Sequence, residues 1–300
     1  MRSGVDLGGT KIEAIALDDH GRELMRRRVP TPTDDYEGTI NVVAMLVRGI
    51  EESLGLCGTV GVGTPGALSR ATSLLKNSNS VCLNGRPLDK DLAHALSREI
   101  RIANDADCFA LSEAIDGAAA GATVVFGVIV GTGTGGGIVA HGRLLHGPNA
   151  IAGEWGHNPL PWPAPDEWPG PACYCGKTGC IETFLSGPGL ARDHARTAGA
   201  GLSAEEIVRR AAAGDTQCEA TLARYEDRMA RSLASVINIL DPEVIVLGGG
   251  LSKLSRLYTR VPQKWTRYVF SDRVDTRLVP PKHGDSGGVR GAAWLWMPSE

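Results

Sequence analysis

The chain has 300 residues, a net charge of −3 and 22% charged residues, length enough for one large or two medium domains with a proper core. The mildly acidic balance excludes a general nucleic-acid or anionic-membrane surface. No basic leader precedes an apolar core, no apolar run is long enough to span a bilayer, and seven cysteines suit a reducing compartment better than a disulfide scaffold. The expectation is a cytoplasmic protein whose partners include neither nucleic acid nor membrane.

The opening run VDLGGTK, residues 5–11, reads as a strand entering a glycine turn. An acid, two glycines, a threonine and a lysine can hold a phosphate, yet the Walker pattern G-x-x-x-x-G-K-[ST] occurs nowhere. Gly176-Lys177-Thr178 has Pro171 where that pattern needs glycine. Ile12 to Leu17 reads as the returning strand, and an Asp-Asp-His-Gly turn leads into a third strand ending near Arg28. Asp34 and Asp35 can cap a helix whose apolar stripe is Ile40, Val43, Val47, Ile50 and Leu54. A strand from Thr59 to Gly63, a helix around Leu88 to Ser97, a strand from Ile100 to Ala103 and a helix from Ala106 follow.

A second pass begins at Thr123. VVFGVIVGTGTGGGIVAHGRLLHG again reads strand, glycine turn, strand, turn, strand, repeating the opening unit about 125 residues later; such repeats outrank single motifs in deciding architecture. Helices are predicted from Gly189, from Ser203 and over a long stretch from about Gln217, which carries Leu222, Tyr225, Met229, Leu233, Val236, Ile237 and Leu240 at helical spacing. Asp241-Pro242 ends it, and a strand from Val244 to Leu247 runs into Gly248-Gly249-Gly250. Two like α/β halves with a cleft between them is the expected architecture.

Gly131, Gly133 and Gly136 satisfy G-x-G-x-x-G, with Glu154 near the place of a ribose-binding acid. That fingerprint must open a helix, whereas GGGIVAHGR continues as a strand, so a dinucleotide fold is rejected. Two glycine-tipped hairpins are better read as two jaws on one polyphosphate, where backbone N–H groups approach closely and Thr10, Thr132 and Thr134 add hydroxyls. Tight hairpin turns explain any one cluster, but the pairing favours the phosphate.

His157, Cys173, Cys175 and Cys180 give H-x15-C-x-C-x4-C, ligands for a tetrahedral zinc rather than a C-x-x-C redox pair. Six of the fifteen residues between His157 and Cys173 are proline, so a metal clip is a means of ordering a segment with little secondary structure of its own. Four protein ligands leave no open position, which makes the zinc structural. Cys57, Cys82, Cys108 and Cys218 are scattered and are expected in the core.

DLGGTK, GTGTGGG, AGEWGH, CYCGKTGCIE and DPEVIVLGGG, in this order, resemble the ROK family of sugar kinases and repressors along essentially the whole chain. The resemblance implies the α/β actin/hexokinase/Hsp70-like (ribonuclease H-like) fold, with duplicated domains and an interdomain cleft where ATP and sugar meet. It implies residues 1–118 as the first domain, completed by a C-terminal helix over 287–300, and residues 119–286 as the second. It also implies a phosphate loop around Gly4, Val5, Asp6, Leu7, Gly8, Gly9, Thr10 and Lys11, with Asp6 orienting water around Mg²⁺. A second loop would comprise Thr132, Gly133, Thr134, Gly135, Gly136 and Gly137, and Gly248 to Leu251, chiefly Gly249 and Gly250, would pass the nucleoside. The same zinc set is a family feature, and family habit suggests a homodimer.

Asn104 and Asp105 lie where a short strand meets a helix, a usual place for α/β sites. From the residues alone, capping the helix is the favoured reading of this pair. The resemblance instead makes Asp105 the base that accepts the proton of the attacking sugar hydroxyl, in a transfer carried mostly by positioning and Mg²⁺. It assigns the sugar to Gly66, Asn79, Asn104, Asp105, Glu154, His157 and Glu182. AGEWGHNPLPW and CYCGKTGCIETFLSG look most like the fructokinase (mannokinase) branch, which points to the 6-hydroxyl of fructose. The alternative is an N-acetylglucosamine or N-acetylmannosamine kinase, or a glucokinase, of the same family. A sugar-responsive repressor is disfavoured, since the first loop begins at Asp6 and no helix-turn-helix precedes it.

Overall fold

The computed structural model describes residues 1–78, 80–199 and 201–296. In chain order the first elements are β1 (Arg2–Leu7), β2 (Lys11–Leu17), β3 (Glu23–Pro30), α1 (Tyr36–Leu54), β4 (Thr59–Thr64), the short pair β5 (Ala67–Leu68) and β6 (Leu75–Lys76), α2 (Leu88–Leu96), β7 (Ile100–Asn104) and α3 (Asp105–Ile115). Next come β8 (Val124–Val130), β9 (Thr134–Ala140), β10 (Arg143–Leu144), α4 (Glu182–Leu185), α5 (Gly187–Ala198), α6 (Ala204–Ala212) and α7 (Thr216–Leu240). The last are β11 (Val244–Gly248), α8 (Leu257–Trp265), β12 (Arg277–Val279) and α9 (Gly287–Trp294).

Two five-stranded sheets share one plan. The first has the order β3-β2-β1-β4-β7 and the second β10-β9-β8-β11-β12. In each, hairpin strands lie to one side of the leading strand and parallel strands to the other. The 125-residue repeat is therefore a repeat of topology, flagged in sequence by its glycine-tipped hairpins.

The chain divides into two compact units, Met1–Gly121 with Gly137–Ala152 and Lys282–Glu300, and Ala122–Gly136 with Gly153–Pro281. The stretch 137–152, expected in the second domain, groups with the first unit because β9 packs its glycine backbone on α3; a Cβ on Gly137 would stand 2.7 Å from the Ala106 carbonyl.

In the first unit, Asp35 caps α1 through the Gly38 N–H at 2.9 Å, and Ile40, Val43, Val47 and Ile50 are buried against the sheet as their spacing requires. Leu54, at the frayed end of the stripe, is only partly buried. Helix α9 seats on β1 and β4 where the strands carry glycine: a Cβ on Gly4 would overlap the Val289 carbonyl. Gly4, Val5 and Leu7 are all buried. Of the residues expected around the first phosphate, these three thus lie inside the packed strand rather than at the turn, and glycine at position 4 is explained by helix packing. Cys108 and Cys218 are buried as expected, but Cys82 is half-buried and Cys57 exposed beside Arg98.

In the second unit, Asp215 caps α7 by accepting from Gln217 and Cys218. Its inner face buries Leu222, Tyr225, Met229, Leu233 and Ile237. No helix among the described residues is long and apolar enough to cross a membrane.

Candidate active site

In the first unit the turn after β1 is held by its neighbours. The Gly8 N–H donates to Lys11 O (3.0 Å), Thr31 Oγ1 donates to Gly8 O (2.7 Å), and Gly9 and Thr10 are left exposed. Asp6 pairs across the hairpin with Glu13. Alternation along paired strands puts their carboxylates on the same side. Glu13 is 1% exposed and is gripped by Arg26 and Arg28, each at 2.6 Å. Burial, then the charges of Asp105 and Glu13, push the Asp6 carboxyl up to about 6, against the pull of Lys11 and Arg28. Crowded acids of this kind fit a divalent cation, which would reverse the penalty.

β4 and β7 are parallel, and their ends meet at Thr64 and Asn104. Asn104 is the N-cap of α3: its Oδ1 accepts from Ala106 N (2.8 Å), and its Nδ2 donates to Gly66 O (3.1 Å). Both ends of the amide therefore brace backbone, tying the Gly66 turn (φ +83°) to the helix start. The capping reading thus holds for Asn104. Asp105 is the first residue of α3 and is exposed, with Oδ1 also accepting from Ala106 N (2.8 Å). Asn79 lies outside the described residues.

In the second unit β8 and β11 run parallel, and the glycine turns at their ends adjoin: Gly131 lies next to Gly250, and Gly249 adopts φ +81°. Ligands of open α/β sheets bind at such strand ends. Gly249 leads into a short 3-10 turn, Gly250–Lys253, rather than an α-helix. The hairpin turn is pinned by Gly187 N donating to Gly131 O (2.7 Å) and Thr134 N donating to Glu182 Oε2 (2.9 Å). A Cβ on Gly133 would stand 2.7 Å from that same oxygen, the movable end of a side chain, and would push the Glu182 carboxylate aside. Gly135 O accepts from Trp155 Nε1 (3.0 Å), while Gly136 is pressed on the Phe126 ring and does not belong to the exposed turn. Thr134 Oγ1 is a buried hydroxyl without a hydrogen-bond partner among the described residues, and so is Ser80 Oγ, which lies next to Gly9 in the first unit. Orphaned hydroxyls beside glycine turns fit a ligand rich in acceptor oxygens.

His157, Cys173, Cys175 and Cys180 bring their ligand atoms within 4.8 Å of one another. Cys175 and Cys180 sulfurs are 3.6 Å apart, as are Cys173 Sγ and His157 Nδ1. A tetrahedral ion with bonds of about 2.3 Å would space thiolates at about 3.8 Å, so the set fits zinc. Burial and the neighbouring thiols push Cys180 up to about 12, a penalty that a bound cation removes. Backbone bonds Cys173 N to Lys177 O (2.8 Å) and Leu160 N to Gly179 O (2.9 Å) shape the knuckle before any metal binds. Glu154 is exposed one turn before His157, and Glu182 opens α4 just after Cys180.

Sequence reasoning missed how the proline-rich segment is held. Arg231 donates to Trp162 O (2.6 Å) and pairs with Glu167, while Arg228 joins Glu167 (2.7 Å) to Asp193 (3.0 Å), all four side chains being almost fully buried. These partners lie 35–69 positions apart, beyond any local pattern. It also missed Tyr174, 83% exposed, whose hydroxyl lies 2.9 Å from His157 Nε2.

Over residues 2–298 the chain matches the ROK family. It is 40% identical to an N-acetyl-D-glucosamine kinase of Escherichia coli over 302 aligned residues, covering 99% of each chain. The crystal structure of a ROK hexokinase from Thermus thermophilus is 33% identical with a TM-score of 0.87, covering 97% of this chain and 96% of that one. A ROK family glucokinase from Streptomyces griseus, in complex with glucose and AMPPNP, is 27% identical with a TM-score of 0.76, covering 98% of each.

Proposed function

The chain belongs to the ROK family and has its actin/hexokinase-like fold, and on that premise we propose that this sugar kinase transfers the γ-phosphate of ATP to the 6-hydroxyl of N-acetyl-D-glucosamine. One observation carries the substrate: identity to the N-acetyl-D-glucosamine kinase is 40% along 99% of both chains, against 33% and 27% for the hexokinase and glucokinase. Fructose, the substrate expected from the motifs, gives way to the alternative weighed beside it. Rates of ADP formation with N-acetylglucosamine, N-acetylmannosamine, glucose, mannose and fructose test the choice. A higher kcat/KM for any of the other four would overturn it.

In this reading Asp105 takes the proton of the attacking hydroxyl. Glu154, His157 and Glu182, with Asn104 and the Gly66 turn, hold the ring. The turns at Gly8–Thr10 and Gly131–Thr134 present N–H and hydroxyl donors to the phosphates, and Gly249 and Gly250 pass the nucleoside. Mg²⁺ supplies charge neutralisation at the transferring phosphate, and Asp6 is the side chain to hold its water shell. Zinc, held by His157 and the three cysteines, is structural.

Asp6 gives a pH test with a definite sign. Its folded pKa, raised from 3.8 to about 6, means that the metal-free fold prefers the protonated form. This contribution to stability is fully present below 3.8 and is lost as pH rises through about 6. Mg²⁺ needs the ionised form, so its half-saturating concentration is expected to climb as pH falls through 6, and Asp6→Asn should abolish that step. Urea unfolding in EDTA against pH, beside Mg²⁺ titrations of rate, reads both effects. A flat Mg²⁺ dependence in the unaltered chain would sink the assignment.

Gly133→Val is expected to weaken sugar as well as ATP. The new side chain must displace the Glu182 carboxylate that accepts from Thr134 N. A purely nucleotide-side defect, expected from backbone approach alone, would show in titrations as an ATP Kd that moves while the sugar Kd does not.

A further inference from the structure

Two features of the turn after β1 have no cause in the conformation described. Gly9 takes no positive φ, and a Cβ there would stand 3.5 Å from Ser80 Oγ, an ordinary contact. An L-residue therefore fits at position 9 as the turn stands. That Cβ would face a buried atom, so room for a ligand on the exposed side does not call for glycine either.

The second feature is Ser80 itself. Its Oγ is buried and has no hydrogen-bond partner among the described residues. Its place is fixed all the same: Ser80 N donates to Ser78 Oγ (3.1 Å), Ser80 O accepts from Leu83 N (3.0 Å), and the Asn84 amide bonds both Ser78 N (2.9 Å) and Ser78 O (2.8 Å). A hydroxyl is thus held against Gly9 with nothing to bond, an arrangement that costs stability.

We propose that the Gly9–Thr10 peptide turns when phosphate binds, so that Gly9 O accepts from Ser80 Oγ while the Thr10 N–H donates to the phosphate. Ser80 is then a positioning residue of the phosphate turn. This rests on the reading that Gly8–Thr10 holds phosphate.

The bonds of the turn single out that peptide. Gly8 N donates to Lys11 O, Gly8 O accepts from Thr31 Oγ1, and Thr10 O accepts from Thr31 N. Gly9 O and the N–H groups of Gly9 and Thr10 have no partner among the described residues. With the carbonyls on either side anchored, the Gly9–Thr10 peptide is the one left to swing, and glycine opens backbone conformations closed to other residues. A trans peptide is planar, with its C=O and N–H on opposite edges. Seating Gly9 O on the buried hydroxyl therefore aims the Thr10 N–H away from Ser80, toward the exposed side of the turn. Ser80 Oγ is itself sealed from solvent, so its fit to an acceptor-rich ligand is made through the turn. One movement accounts for both features: it needs the glycine and it gives the hydroxyl a partner.

The test compares the full chain with Ser80→Ala, Gly9→Ala and the double variant, reading ATP and N-acetylglucosamine Kd by calorimetry, the ATP KM, and Tm with and without ATP. Ser80→Ala should raise the ATP Kd and KM about three- to tenfold, the worth of one neutral hydrogen bond, with the sugar Kd within about twofold. Without ATP its Tm should equal or exceed that of the unaltered chain, because no bond is lost, and the rise in Tm on adding ATP should shrink. Gly9→Ala should keep the ATP-free Tm and weaken ATP at least as much. The double variant should be no worse than Gly9→Ala, since both changes block one movement. A Ser80→Ala chain that is less stable without ATP would show the hydroxyl already bonded, and the proposal falls. It falls equally on an unchanged ATP Kd in either single variant, on a matching loss of sugar affinity, or on losses that multiply in the double variant. Each of these leaves the kinase reading standing, whereas an unaltered chain that binds no ATP overturns both.

Discussion

Asp105→Asn is expected to lower kcat by about 10²–10⁴-fold, the usual contribution of a positioned base, with sugar and ATP affinities nearly unchanged. The geometry makes the substitution clean. Asn104 already caps α3 and braces Gly66 through both ends of its amide, so the turn does not depend on the neighbouring carboxylate. An asparagine at 105 can still accept from Ala106 N through its carbonyl oxygen, as Asp105 Oδ1 does. What it loses is the ability to take a proton, together with one of the charges that raise Asp6. The Asp6 carboxyl should therefore titrate lower in this variant, which gives a readout independent of turnover. Single-turnover rates with saturating ATP and N-acetylglucosamine, beside calorimetric Kd values, separate the chemical step from binding. Turnover within about threefold of the unaltered chain, far less than a base contributes, would remove Asp105 from the reaction.

The elements and their duplication were legible because they depend on local chemistry. Asp35 before an apolar stripe, or the helical spacing of apolar residues from Leu222 to Leu240, are signals carried within one segment. Glycine is where reading along the chain goes astray. Gly8 and Gly133 lie at turns, but Gly4, Gly136 and Gly137 are glycines because a helix or a ring lies against the strand. Only the partner, which is distant in sequence, tells the two demands apart. The grip of Arg228 and Arg231 on the proline-rich segment was hidden for the same reason. Spacing grouped the histidine and three cysteines whose ligand atoms the structure brings within 4.8 Å of one another, since the thiols cluster within eight residues. Tyr174 between them has no periodic or compositional signature, and its contact with His157 Nε2 shows only in the structure. Substrate choice was least legible, because motifs around a shared ring-binding set say little about the group on one carbon.

Purified protein should carry about one zinc per chain, matching one complete Cys₃His set, and Cys175→Ser should lose it. Position 175 is the informative one to change: its side chain is exposed at the knuckle, so serine there alters a ligand without opening a cavity, whereas Cys180 is buried against the His157 carbonyl. The consequence for the proline-rich stretch is narrower than the sequence suggested. Residues near Trp162 and Glu167 remain tied to α7 by Arg231 and Arg228, and removing a partner from such a buried network costs about 3–5 kcal/mol, so that part should stay ordered without metal. The knuckle itself and the His157 imidazole lose their common anchor. With His157 free to rotate, the Tyr174 contact and the register of Glu154 with Glu182 are no longer enforced, and the sugar must order them on binding. At about 0.5–1.5 kcal/mol for each immobilised side chain, three such groups weaken sugar affinity by roughly 10–10³-fold. Gly8–Thr10 and the adjoining turns at Gly131 and Gly250 have supports of their own in Thr31 and Gly187, so ATP affinity should move far less. Hydrogen exchange should rise across 172–180 and stay low along α7. If zinc-free protein binds and phosphorylates the sugar as well as the zinc-loaded form, the metal has no part in holding the sugar site, and the knuckle's order must come from its backbone bonds alone.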